Sequence, residues 1–242
     1  MFRLLLPLLA AASLAAQVNQ LQNWSAPSGE TLVRKTEGCS ELRSLTTYEF
    51  SVISATLVPA DGARPAFCRV MGQILPEVRF EVALPAEWNK RLLMIGNGGY
   101  AGENLEAPNR LATRDAALAK GFAFTQTNTG HDAQSEPGGS FAVNSQKLLD
   151  YAFRAVHMTA ETAKQIAGAY YGAAPAKSYF MGCSTGGRQA LMEAQRFRDG
   201  LKDGDKVITS GGIFGRVVRV EDKVIELEIA PKTKVRVDRS QI

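Results

Sequence analysis

The sequence predicts an α/β domain with a largely parallel sheet, followed by a small all-β module. Three observations predict it. From residue 45 to 196, apolar runs of strand length alternate with segments of helical spacing. After Phe197 the text changes to short β-rich runs cut by Asp199-Gly200, Asp203-Gly204 and Gly211-Gly212. The 242-residue chain is 45% hydrophobic and 21% charged, which excludes disorder and collagen-like repeats. The expected divisions are a leader over residues 1–16, the α/β domain over 17–197 and the β-module over 198–242.

The elements follow in order. Residues 1–16 read MFRLLLPLLAAASLAA, in which Arg3 precedes an apolar run and Ser13-Leu14-Ala15 offers a small-x-small cleavage pattern. This is a signal peptide by composition. Its apolar run is shorter than the roughly 20 residues a spanning helix needs, so no membrane span is expected after cleavage. The mature chain is expected to be secreted or periplasmic, in an oxidising space. TTYEFSVISATLV (46–58) is rich in β-branched residues and stops at Pro59-Ala60-Asp61-Gly62. FEVALP and RLLMI are the next strands. A helix over 109–120 ends at Gly121, and GFAFTQTN is a strand again. A long helix is expected over 144–171, with Leu148, Leu149, Ala152, Ala155 and Val156 on one face and Gly172 as its stop. A strand over 177–181 and a helix over 185–196 complete the domain. In the module, KVITS, FGRVVRV, KVIELEIA and TKVRVD are strands, with Glu221-Asp222 at a hairpin turn. The net charge of +4 is mild and both signs are interspersed, so no nucleic-acid partner is expected.

Residues 180–188 carry the chemistry. They read FMGCSTGGR, and Gly182-Cys183-Ser184-Thr185-Gly186 fits G-x-S-x-G between a strand and a helix. The serine of such an elbow sits on a cramped turn, so its flanking positions must be side-chain-free. The turn lifts the Ser184 hydroxyl above the sheet and aims the Thr185 amide at a developing oxyanion. A second donor should come from the loop after an earlier strand. Gly96-Asn97-Gly98-Gly99-Tyr100 follows RLLMI in that way, and the amides of Gly98, Gly99 and Tyr100 are the candidates. The same glycines match the dinucleotide pattern G-x-G-x-x-[GA]. However, Glu103, Asn104 and Pro108 interrupt the required helix, and the following strand carries no acidic residue for a ribose.

A serine hydrolase also needs a histidine base and an orienting carboxylate, in the order Ser, Asp or Glu, His on this fold. Both histidines, His131 and His157, precede Ser184. His157 reads as an ordinary helix residue. A His131–Asp132 pair would break the chain order.

With these residues in hand, residues 39–197 resemble the N-terminal part of the tannase and feruloyl esterase family. PAFCRVMGQI, RLLMIGNGGYAGE, TNTGHDA and YFMGCSTGGRQALMEAQRF carry the resemblance. It implies a secreted α/β-hydrolase acting on aryl esters such as galloyl or feruloyl esters, with Ser184 as nucleophile. It also implies that Cys183 is half of a disulfide tying nucleophile to base. The histidine, its cysteine, the aspartate and the calcium-binding lid of the family lie beyond the point where this chain departs from it. The domain is thus expected to be a truncated α/β-hydrolase domain, with no cofactor and no metal. Cys39 and Cys68 flank a strand-rich stretch and can pair, leaving Cys183 unpaired.

Residues 200–242 resemble a different family, the soluble β-domain of the YajC-type accessory subunit of the Sec preprotein translocase. LKDGDKVITSGGIFGRVVRVEDKVIELEIA carries that resemblance. Sec translocase components are the partners it implies. Three functions compete: a carboxylic ester hydrolase of little or no turnover, an accessory subunit of the secretion machinery, and a non-functional fusion of the two. An open sheet edge beyond the elbow is expected to favour aggregation.

Overall fold

Period-two alternation of apolar side chains builds a sheet with two buried faces. The computed structural model describes residues 32–208 and 213–238. The predicted signal peptide over 1–16 lies outside the described residues, as do Gly211-Gly212. The strands of the first part are β1 (Val33–Arg34), β2 (Phe50–Val58), β3 (Phe67–Ile74), β4 (Val78–Pro85), β5 (Glu87–Trp88), β6 (Arg91–Ile95), β7 (Ala123–Thr127) and β8 (Lys177–Met181). Six of them form one sheet in the order β2-β3-β4-β7-β6-β8. Phe80, Val82, Leu84 and Leu92 face one core, while Ala83, Leu93, Ile95 and Phe124 face the other.

The expectation of a largely parallel sheet is corrected. Only β6–β7 and β6–β8 are parallel, whereas β2–β3, β3–β4 and β4–β7 are antiparallel. The reason is covalent. Only Leu75-Pro76-Glu77 separates β3 from β4, and a parallel return needs a crossover of a dozen or more residues. Among the described residues β8 is an edge strand, paired with β6 alone.

Helices cover both faces. Helix α1 (Pro108–Ala119) opens with proline in its first turn and packs Ala117 and Leu118 into one core. The long helix expected over 144–171 is in fact three segments: α2 (Ser145–Leu149), a π turn (Asp150–Arg154) and α3 (Ala155–Tyr171). The Asn144 side chain caps α2 by accepting from the amides of Gln146 and Lys147. Ala163, Ile166 and Ala167 of α3 enter the opposite core, and Gly172 ends α3 in the left-handed conformation. Tyr171 stacks on Trp88 at 4.1 Å and donates its hydroxyl to the Pro85 carbonyl at 2.7 Å. Helix α4 (Thr185–Asp199) follows β8 directly.

The chain divides into two units at Ala190/Leu191, inside α4, rather than after residue 197 as composition suggested. The second unit is an antiparallel meander of β9 (Lys206–Ile208), β10 (Phe214–Val220), β11 (Val224–Ala230) and β12 (Thr233–Asp238). Val217, Ile225 and Leu227 form its core, packed by Val207, Val235 and Val237. The Glu221 amide donates to the Val224 carbonyl across the Glu221-Asp222 turn.

Cys39 and Cys68 form a disulfide that ties the start of a 3₁₀ turn (Ser40–Ser44) to β3, with Cα atoms 5.6 Å apart at a sequence separation of 29. Cross-linking a loop of that length removes roughly 3–4 kcal/mol of denatured-state entropy. Cys39→Ala is therefore expected to lower the unfolding free energy by about 2–4 kcal/mol. Urea denaturation with and without reductant measures this, and unchanged midpoints would contradict it.

Candidate active site

The parallel strands β6, β7 and β8 end on the same side of the sheet, and a tight loop leaves each. Such carboxyl ends are where open α/β sheets hold their ligands. After β8, Ser184 has φ +53°. A serine rarely adopts this left-handed conformation, and the cost is held in place only by surrounding packing. That packing is backbone on backbone. A Cβ on Gly182 would lie 2.5 Å from the Gly186 carbonyl, and one on Gly96 would lie 2.6 Å from the Gly186 Cα. Neither position admits a side chain. Ser184 and Cys183 are both exposed, and Cys183 forms no disulfide among the described residues.

The loop after β6 is fastened to the elbow at two further points. The Asn97 amide donates to Gln189 Oε1 at 2.9 Å, and Thr185 Oγ1 donates to the Gly99 carbonyl at 2.6 Å. Gly98 and Gly99, the sequence candidates for a second oxyanion donor, now separate. The Gly98 amide is taken by Glu103 Oε1 at 2.6 Å. Among the described residues, no acceptor takes the Gly99 amide or the Thr185 amide. Arg188, on the next turn of α4, donates to the carbonyls of Ala152 at 3.0 Å and Tyr151 at 3.3 Å. A π turn loosens the regular helical ladder, and here it supplies these carbonyls as anchors for the elbow helix.

The loop after β7 is equally constrained. Thr129, β-branched, has φ +62°. Asn128 braces it by accepting the amides of Arg79 and Gly130 and donating to the His131 carbonyl. His131 is 3% exposed, stacks on Phe141 at 3.9 Å, and has no hydrogen-bond partner at either ring nitrogen. Burial pushes its pKa below the ordinary 6.5, and the neighbouring Tyr100 backbone and Glu136 carboxylate oppose this only partly. Neither ring nitrogen is hydrogen-bonded to Ser184. The Asp132 carboxylate turns away to accept the Gln134 amide. His157 lies half-buried in α3. Among the described residues, no imidazole is hydrogen-bonded to Ser184.

Beneath the loops lies a polar layer that sequence reasoning missed. Glu81 in β4 is fully buried and accepts from Arg69 at 2.8 Å, Arg114 at 3.0 Å and Gln126 at 2.5 Å. Arg110 joins Gln126 to Glu103, at 3.1 and 3.3 Å. Arg110 and Arg114 occupy the inward face of α1, where apolar residues would be expected. Their spacing of four was the available signal. Among the described residues, no group of three or more His, Cys, Asp or Glu side chains is placed to hold a metal ion.

A family model described as tannase and feruloyl esterase matches residues 63–210. The chain belongs to this family. A feruloyl esterase B from Aspergillus oryzae has a crystal structure that superposes with a TM-score of 0.56 at 30% identity, covering 66% of this chain and 34% of that one. An uncharacterized esterase of Xanthomonas campestris pv. campestris is 37% identical over 182 residues, covering 69% of this chain and 31% of its own. A mono(2-hydroxyethyl) terephthalate hydrolase of Piscinibacter sakaiensis is 32% identical over 161 residues, covering 60% of this chain and 27% of its own. The chain thus spans about a third or less of the curated relatives it matches. The family assignment agrees with the glycine-packed elbow and the fastened loop facing it.

His131 generates a test of its own. Its folded-state pKa lies below the unfolded value, so the unfolded chain binds the proton first as pH falls. Its contribution is present in full above about pH 6.5 and is lost progressively below it, by up to about 1.4 kcal/mol per pH unit. His131→Phe should flatten the fall in stability just below pH 6.5, read from urea midpoints at a series of pH values. An unchanged slope would show that another group controls it.

Proposed function

We propose that this chain carries the nucleophile and the oxyanion-binding half of a carboxylic ester hydrolase. In this reading Ser184 Oγ attacks the ester carbonyl carbon, and the negative charge forming on its oxygen is received by the amides of Thr185 and Gly99. Collapse breaks the bond to the alcohol and leaves an acyl-serine that water later cleaves. The single observation that carries this reading is the strained backbone of Ser184, held by glycine contacts at the end of a parallel strand. Aryl or phenolic esters are the proposed substrate class, supported by the resemblance and by the relatives' names.

The proton of Ser184 needs a base. Neither histidine of this sequence follows Ser184, and His131 is turned into the core. A triad enzyme lacking its base retains only ~10³–10⁴-fold acceleration over water, so the turnover proposed for this chain is at or near background. The proposed location is secreted or periplasmic, supported by the leader composition and by the Cys39–Cys68 disulfide. No helix among the described residues is long and apolar enough to cross a membrane.

Two assays test the reading. Methyl ferulate and methyl gallate should be cleaved barely above buffer, while diethyl p-nitrophenyl phosphate should slowly add a phosphoryl group at Ser184, seen by intact mass and absent in Ser184→Ala. Rapid hydrolysis abolished by Ser184→Ala would overturn the low turnover. Labelling that is absent, or unchanged in Ser184→Ala, would overturn the nucleophile.

For the C-terminal meander we propose the role of an accessory to the Sec translocase, a reading that rests on its sequence pattern alone. Cross-linking in cells, followed by purification of the full chain, should enrich Sec components. Recovery no greater than from an unrelated secreted protein would end this reading.

A further inference from the structure

We propose that Glu103 is the positioning residue of the oxyanion loop, deciding which glycine amide is left to receive the oxyanion. The inference rests on the reading of Ser184 given above. Gly98-Gly99 is the most permissive dipeptide a loop can contain, because neither residue has a Cβ to restrict its dihedrals. Left to itself, such a loop would sample several peptide orientations. Glu103 removes that freedom. Its Oε1 accepts the Gly98 amide at 2.6 Å and its Oε2 accepts Asn97 Nδ2 at 2.6 Å. One carboxylate thus fixes two consecutive residues of the loop.

Charge-assisted bonds of this kind are the strong ones, and Glu103 is itself held. Arg110, 4% exposed, pairs with Oε2 at 3.3 Å and reaches Gln126 Oε1 at 3.1 Å with its other nitrogen. Gln126 is anchored in turn to buried Glu81 and to the Leu105 carbonyl. The loop is therefore tied to the sheet through side chains of β7, α1 and β4. On the elbow side it is tied by Gln189 and Thr185. Clamped between the two, Gly98 gives its N–H to Glu103 and is withdrawn from catalysis. Gly99, with φ +50° and its amide without an acceptor among the described residues, is left with Thr185 as the donor pair. An oxyanion hole works because its donors are aimed before the charge appears, and Glu103 sets that aim without touching the substrate.

The test pairs a spectroscopic signature with a rate, in the full chain. In an amide ¹H–¹⁵N spectrum, the Gly98 resonance should lie downfield from its carboxylate bond. Glu103→Ala should move it upfield, Glu103→Gln should move it less, and Ser184→Ala should leave it in place. The rate of Ser184 phosphorylation by diethyl p-nitrophenyl phosphate should fall at least tenfold in Glu103→Ala, on the order of the ~10²–10³ lost with one oxyanion donor. Glu103→Gln, which keeps an acceptor for Gly98, should recover part of that loss. If Glu103→Ala does not fold, Arg110→Met serves instead, since it frees the carboxylate from its anchor and should slow labelling in the same direction. Equal labelling rates in folded variants, or a Gly98 resonance indifferent to Glu103, would overturn the proposal. Failure to label Ser184 in the parent chain would overturn the reading of Ser184, and the Gly98 resonance would still decide whether Glu103 sets the loop.

Discussion

The arrangement depends on one close approach, the passage of the backbone at Gly96 and Gly182 against Gly186. No side chain separates these segments, so the loop after β6 and the start of α4 meet at distances a Cβ would forbid. From that contact the rest follows. Ser184 is forced into the left-handed region, Thr185 comes within hydrogen-bond reach of Gly99, and Gln189 comes within reach of Asn97. The elbow and its facing loop thus form one rigid piece, and a strained serine persists because several independent contacts over-determine it.

That rigid piece stands on charges rather than on hydrocarbon. Burying Glu81 alone would be prohibitive, but two guanidinium groups and an amide satisfy it. Such a cluster contributes little net stability compared with a well-packed apolar core. Its value is directional. Hydrogen bonds fix orientation where leucines would only fill volume, and here the orientation is relayed through Gln126 and Arg110 to the loop after β6. The inward face of α1 changes character along its length for this reason. Arg110 and Arg114 serve the polar layer near the loops, and Ala117 and Leu118 serve the apolar core.

Much of this was legible in the sequence. RLLMI and KSYFM coincide with β6 and β8 because short apolar runs between turn signals have few alternatives. The four strands of the C-terminal meander and its Glu221-Asp222 turn were legible on the same grounds. The elbow could be read because its glycines have a steric reason to be where they are. Strand direction could not be read from apolar pattern, which is blind to it, although the three residues between β3 and β4 already required a hairpin. The π turn at 150–154 left no trace, because its residues continue the helical apolar spacing. The role of Glu103 was hidden for a different reason. A carboxylate in a loop looks like solvent-facing charge until the fold brings Gly98, Asn97 and Arg110 around it.

Receiving an oxyanion and accepting a proton are separable tasks, and the proposed reading separates them along the chain. The first needs only backbone amides in fixed orientation, which glycine contacts, a threonine hydroxyl and one braced carboxylate provide within residues 96–189. The second needs an imidazole within hydrogen-bond reach of Ser184, and His131 is committed elsewhere by packing. His131 is held against Phe141 and beneath the Gly102 backbone, where a protonated ring would lose hydration without gaining a partner. Bringing it to Ser184 would require breaking the Asn128 bonds that brace a strained Thr129. The fold therefore holds the loop after β7 by structural bonds, while the proposed reading gives the loops after β6 and β8 the chemistry, a division that three neighbouring parallel-strand ends would not by themselves impose.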